Sequence, residues 1–184
     1  MGTKRKKEIA IKHLETNLYI QHFRNCKECP CRIYAKKDEK IMLGVGNICT
    51  DIVFILPTYD FNTKVGYETL LTLLQKIYKE ITTLELLENT YVTRVIKCYK
   101  ITEFDLHSKA LDCCINHLVY ELCKLKPKKV VFIGDQFYHL VNYLSHITKI
   151  DINNFYKTYN IGVLYYENEY KDKFIEQLKE ILYD

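Results

Sequence analysis

Tryptophan is absent from this 184-residue chain, and glycine and proline are scarce, at six and three copies. There is no internal repeat and no low-complexity segment, which excludes solenoid and linker-like readings. No apolar run approaches the ~20 residues that a bilayer-spanning helix needs. The opening residues, MGTKRKKEIAIKHL, place charge where a secretory leader carries its apolar stretch. Gly2 follows Met1, but Lys6 stands where an N-myristoylation signal has Ser or Thr. These absences predict a cytoplasmic protein with no membrane partner. The chain also lacks G-x-x-x-x-G-K-[ST], G-x-S-x-G and H-E-x-x-H, so P-loop hydrolase, serine esterase and zinc-protease readings have no motif behind them. Sixteen tyrosines amid many Lys, Ile and Asn fit an AT-rich coding sequence and point to no function.

What is present suits one globular domain with a full core: 48% hydrophobic and 27% charged residues. The net charge of +4 permits a nucleic-acid partner without requiring one. The basic run from Lys4 to Lys7 reads first as a solvated terminus and second as a phosphate-contacting arm. In a reducing cytoplasm, eight cysteines read as metal ligands or small apolar residues rather than disulfides.

Along the chain, residues 8–24 have the apolar members of a helix, and residues 25–40 form a polar, cysteine-bearing, irregular stretch. Residues 51–56 (DIVFIL) read as a buried strand. Helical spacing follows over 67–81, through Leu70, Leu71, Leu74, Ile77, Tyr78 and Ile81. Residues 91–96 (YVTRVI) form a second strand, 105–125 a long amphipathic helix stopped by Pro127, and 129–133 (KVVFI) a third strand. A helix over 135–145, a fourth strand at 162–166 (GVLYY) and a helix over 170–182 complete the pattern. Strands alternating with helices predict an α/β fold, a single three-layer α/β/α domain around a four-stranded parallel sheet. Residues 1–50 would form its N-terminal part and 51–184 its α/β core. Ligands of such sheets lie beyond the carboxyl ends of the strands, here at residues 57–60, 96–100, 134–136 and 167–169.

Cys26 and Cys29 form a C-x2-C pair, a weak signal alone. Cys98 closes the second strand segment, and Cys113 and Cys114 follow fifteen and sixteen residues later. Short loops of a βα unit can bring these points together, and the irregular N-terminal stretch can supply the other two thiolates. Cys26, Cys29, Cys98 and Cys114 are therefore the candidate ligands, and four thiolates suit an iron–sulfur cluster or zinc. Spacing does not choose between these two metals. Taken alone, Cys114 falls on the apolar stripe of its helix and reads as core. Cys113 lies on another face with His117 one turn on, and it stays open as the fourth ligand. Cys31, Cys49 and Cys123 read as buried small apolar residues.

The order of these features resembles the family 4 uracil-DNA glycosylases, the four-cysteine iron–sulfur class. C-x2-C-P appears as Cys26, Cys29 and Pro30, and G-x-G-N as Gly44 to Asn47. The first strand, DIVFI, runs from Asp51 to Ile55, and Y-[IV]-T-N-[VI]-[VI]-K-C appears as YVTRVIKC, Tyr91 to Cys98. The fourth cysteine matches Cys114, and L-x-x-x-x-P-K-x-[VI]-[VI]-x-[LIV]-G appears as LCKLKPKKVVFIG, Leu122 to Gly134. The resemblance spans essentially the whole chain. It implies a structural four-iron, four-sulfur (4Fe-4S) cluster that packs the N-terminal segment against the sheet.

The chemistry of that family needs residues this chain lacks. Its G-E-[AG]-P-G element reads Leu56, Pro57, Thr58, Tyr59, Asp60 here, with Pro57 at the glutamate position and Asp60 as a displaced carboxylate. Its P-F-x-G stretch reads Thr63, Lys64, Val65, Gly66, without the stacking aromatic. The base-reading asparagine is Arg94, whose guanidinium only donates. No histidine follows His146 to play the part of the H-P-S histidine. One missing oxyanion donor costs roughly 3–4 kcal/mol, so several together argue against uracil excision. The first expectation is thus a catalytically inactive glycosylase-like protein that binds DNA or a replication or repair partner. Tyr59, Arg94, Lys97 and Lys100 would line its crevice. A second reading is an active enzyme on a nucleic-acid base or nucleotide, using Asp60, Asp135, Glu167 or His107. A third is a protein-interaction or inhibitor module that never touches DNA.

Overall fold

The computed structural model describes residues 44–60, 64–97, 104–165 and 168–183. The expected helix over 8–24 and the cysteine-bearing stretch lie outside the described residues. Three apolar segments form strands: β2 (Ile52–Leu56), β5 (Tyr91–Arg94) and β6 (Lys129–Ile133). Their side chains alternate between two buried faces, which is why each reads as a continuous apolar run. β5 and β6 flank β2, both parallel to it. On the outer side of β6, Phe155–Thr158 (called β7) adds a fourth parallel strand. A two-residue strand, β1 (Val45–Gly46), pairs antiparallel on the outer side of β5. Gly46 has φ +116, and a Cβ there would lie 2.3 Å from the Thr90 carbonyl oxygen, so this edge needs glycine. The sheet is thus five-stranded and mixed, in the order β1-β5-β2-β6-β7. A separate hairpin joins β3 (Tyr59–Asp60) to β4 (Val65–Gly66).

Helices cover both faces. On one side, α1 (Tyr67–Thr82) and α5 (Lys171–Tyr183) pack Leu70, Leu74, Ile77, Phe174 and Leu178 against Phe54, Leu56, Val92 and Val131. On the other, α3 (Phe104–Leu125) and α4 (Val141–Thr148) pack Cys114, Leu118, Leu122 and Leu144 against Val53, Ile55, Val130, Phe132 and Phe155. A short helix, α2 (Leu86–Asn89), leads into β5. α1 ends where Thr83 turns left-handed, φ 61, and returns its N–H to the Lys79 carbonyl. α3 ends similarly at Lys126, φ 48, whose N–H reaches the Leu122 carbonyl before Pro127.

Two expectations need correction. Where the fourth strand is expected, over 162–166, Ile161–Tyr165 is a 3-10 turn, and residue 166 lies outside the described residues. The Asn160 side chain accepts the Gly162 N–H at 2.9 Å, and Val163 N–H bonds the Asn160 carbonyl at 3.3 Å, which winds the backbone at that point. Ile161 and Leu164 then drop into the α1–α5 side of the core. The fourth strand lies earlier, in FYKT, where Lys157 is exposed and Tyr156 half-buried. An edge strand tolerates such polar positions because it pairs on one side only. The helix expected over 135–145 is a 3-10 turn, Tyr138–Leu140, followed by α4.

Candidate functional site

The strand order places a topological switch between β2 and β6. The chain leaving β2 crosses to α1 on one face, while the chain leaving β6 crosses to α4 on the other. A crevice opens beyond the carboxyl ends of two such neighbours. Thr58 closes its floor: its hydroxyl donates to the Ile96 carbonyl at 2.8 Å and its own carbonyl accepts Tyr67 N–H at 3.0 Å. Pro57 beside it is buried. Asp60 is 3% exposed, and its carboxylate accepts the Asn160 amide at 2.8 Å, tying the loop after β2 to the turn after β7 across 100 residues of sequence. Gly134 lies between them with φ +86, and a Cβ there would stand 3.6 Å from Asn160 atoms. Its left-handed turn lets β6 end against that turn.

Beyond the end of β7, a cleft of about 660 Å³ is lined by Asp135, Lys157, Tyr159, Asn160, Tyr170 and Gln177, among others. Asp135, one of the expected catalytic candidates, is exposed here. Lys157, Tyr159, Asn160, Tyr170 and Gln177 were not legible as site residues, because the strand that presents the first three was expected several residues later.

The expected DNA-facing cations are displaced inward. Arg94 is 2% exposed, and its guanidinium carbon sits 4.1 Å above the Tyr67 ring, on the α1 face. Burial pushes the Tyr67 hydroxyl up to about 12, with Arg94 pulling it the other way. Lys97 is fully buried and pairs with Glu121 of α3. Its ammonium also donates to the Thr93 hydroxyl at 2.6 Å. Glu121 further accepts the Thr93 hydroxyl at 2.7 Å, the Tyr91 hydroxyl at 3.2 Å and the Gly44 N–H at 3.1 Å. Burial holds the Lys97 ammonium below the usual lysine range, and the Glu121 carboxylate opposes that shift. These two cations therefore do not line an open rim; both are enclosed in the core. Glu121 was missed, although a carboxylate three residues beyond Leu118 on an otherwise apolar stripe is a signal for a buried ion pair. Tyr59 remains half-exposed at the crevice, and Lys100 lies outside the described residues.

Of the candidate thiolates, Cys26, Cys29 and Cys98 lie outside the described residues. Cys114 is fully buried, and its Sγ accepts the Lys97 backbone N–H at 3.5 Å, one residue before Cys98. Cys113 is half-buried on the neighbouring face of α3, and His117 is buried. Among the described residues, no group of three or more His, Cys, Asp and Glu is arranged to hold a metal ion. Cys49, expected in the core, is exposed in the turn after β1, where its N–H bonds the Asn47 side chain at 3.0 Å, and Cys123 is half-buried. Cys31 and Glu167 fall outside the described residues, and His107 sits in the first turn of α3. Among the described residues no helix is long and apolar enough to cross a membrane.

No family model matches the chain, and no curated protein matches it.

Proposed function

We propose that this chain is a divergent relative of the four-cysteine uracil-DNA glycosylases that keeps the scaffold, has lost uracil excision and binds DNA at the carboxyl-end crevice. The observation that carries the loss of excision is what occupies the positions of the family's catalytic residues. A buried proline takes the glutamate position, and a guanidinium stacked on Tyr67 takes the asparagine position. With the fourth core strand at Phe155–Thr158, the post-strand histidine position falls in the turn holding Asn160, whose amide is engaged by Asp60 and Gly162. Excision requires groups that read a flipped base and then stabilise the departing anion, and here those positions hold a buried proline, a guanidinium turned onto Tyr67 and an asparagine bonded to Asp60. A four-stranded parallel core with helices on both faces is in keeping with such a scaffold.

The cofactor in this reading is a four-iron, four-sulfur cluster on Cys26, Cys29, Cys98 and Cys114, with zinc as the alternative. The described part of the site fits it. The Cys114 sulfur is dry, receives a backbone N–H bond and lies beside the residue that precedes Cys98. Hydrogen bonds to thiolate sulfur accompany such clusters. That placement favours Cys114 over Cys113 as the fourth ligand. The cluster would supply a structural crosslink between the N-terminal segment and the sheet.

The test measures binding to single- and double-stranded DNA across a salt series, together with uracil release from a uracil-bearing oligonucleotide. Binding that weakens with salt and no released uracil are the expected results. Measurable uracil release overturns the loss of excision, and no DNA binding at low salt points instead to a protein-interaction module. One observation favours a second reading, an active enzyme on another base: Asp60, in β3 four residues beyond β2, is a buried carboxylate. Release of a damaged base that Asp60→Asn abolishes would establish it.

A further inference from the structure

We propose that the cleft beyond the end of β7 is a stacking site for an unpaired nucleobase of a single strand, with Tyr159 as its platform. The inference deepens the DNA-binding reading and rests on it. Three features of the cleft carry it. Its volume of about 660 Å³ falls inside the ~300–1,000 Å³ range of small-ligand sites. Its lining is not strongly charged: one cation, Lys157, and one carboxylate, Asp135, offset each other beside two tyrosines, Val163, a buried threonine, the Gln177 carboxamide and an Asn160 carboxamide already bonded to Asp60 and Gly162. A phosphate pocket would carry an excess of cations, whereas a base needs a flat ring to lie on and neutral donors and acceptors around its edge.

The third feature is how Tyr159 is held. The residue is 48% exposed, while its backbone is bonded at both its N–H and its carbonyl. The Tyr159 N–H donates to the Gln177 side-chain oxygen at 2.8 Å, and its carbonyl accepts the Thr158 hydroxyl at 3.0 Å. An exposed ring on a fixed backbone loses little entropy when a base stacks on it. The bond from Tyr159 also orients Gln177, with its oxygen spent on the protein and its amide nitrogen as the donor end. Tyr170, also in the lining, carries Lys173 5.4 Å from its ring centroid and is 36% exposed, which leaves Tyr159 the more open of the two platforms. Lys157, exposed and 5.4 Å from the Tyr138 ring centroid, would bring one cation to the backbone of the same strand.

The experiment compares anisotropy titrations of a labelled oligothymidylate and an abasic strand of equal length, at one salt concentration, for the wild type, Tyr159→Ala and Tyr159→Phe. The thymidylate is expected to bind more tightly than the abasic strand. Tyr159→Ala should weaken thymidylate binding by about 5- to 150-fold, the range of one base–aromatic stack, and leave the abasic strand unaffected. Tyr159→Phe should bind as the wild type does. Equal binding of the two strands, or a Tyr159→Ala protein that binds thymidylate normally, overturns the stacking site while the DNA-binding reading stands. Binding of a duplex but of neither single strand does the same. No binding of any DNA overturns both.

Discussion

At the scale of single residues, the molecule shows how burial converts a polar side chain into a structural one. Tyr67 lies under the Arg94 guanidinium with its hydroxyl pushed up to about 12 by burial, from an ordinary value of 10.0. Below pH 10 the hydroxyl is neutral in both the folded and unfolded chain, so the contribution is fully present. Between pH 10 and about 12 the unfolded chain releases this proton and the folded chain retains it. Stability must therefore fall as pH rises through that window. A shift of this size corresponds to at most about 2–3 kcal/mol. Urea unfolding of the wild type below pH 10 and near pH 12 should show this loss, and Tyr67→Phe should show less of it. An identical alkaline loss in Tyr67→Phe would mean the hydroxyl is not held neutral by its surroundings. Arg94 illustrates what a residue list cannot say. Its type and position suggest a cation awaiting phosphate, yet strand alternation turns it under α1.

At the scale of elements, the Lys97–Glu121 pair joins the chain just beyond β5 to the C-terminal part of α3. Both side chains are fully buried, and three further donors converge on the carboxylate. Removing one partner of such a pair leaves a buried uncompensated charge, which costs about 3–5 kcal/mol. Lys97→Met should lower the unfolding free energy at neutral pH by that amount, read as a shift in urea midpoint. The double variant Lys97→Met/Glu121→Gln should recover much of it, because the amide is neutral, its oxygen still accepts from Tyr91 and Gly44, and its NH2 can donate to the Thr93 hydroxyl. A single variant as stable as the wild type would show that the pair does not carry charge in the folded protein. The central strands and the two long helices were legible because apolar periodicity survives wherever an element is buried on a full face. FYKT was not, since an edge strand needs one buried face and shows tyrosine, lysine and threonine. GVLYY looked like a strand because its residues are apolar and β-branched or aromatic. An asparagine two residues before Gly162 wound it into a turn instead.

At the scale of the whole molecule, the proposed cluster would link the segment before β1 to the β5–α3 connection. The Cys114 sulfur beside Lys97 N–H is the described end of that link. Cys114→Ser should lose iron and sulfide on anaerobic purification, from about four of each per chain, as should Cys26→Ser and Cys98→Ser. Cys123→Ser, on a half-buried surface of the same helix, should keep them. Full metal content in all four variants would remove the ligand assignment. The crevice and the β7 cleft sit together at the carboxyl edge of the sheet, joined by Asn160, which bonds Asp60 and lines the cleft. A strand crossing this edge would meet a half-exposed Tyr59 and an exposed Tyr159 without reaching either buried cation.

The order and chemistry of the chain were enough for an α/β architecture and for the positions of three core strands and the long helices that cover them. These follow from local patterns: runs of apolar residues, helical periodicity, a proline that stops a helix. Tertiary structure alone decided which strand closes the sheet, which cations are enclosed and which aromatic is presented outward. Those outcomes depend on distant partners, namely Glu121 for Lys97, Tyr67 for Arg94, Gln177 for Tyr159 and Asp60 for Asn160. The energy of a charge or a polar group depends on what surrounds it after folding, and no window of sequence contains that surrounding.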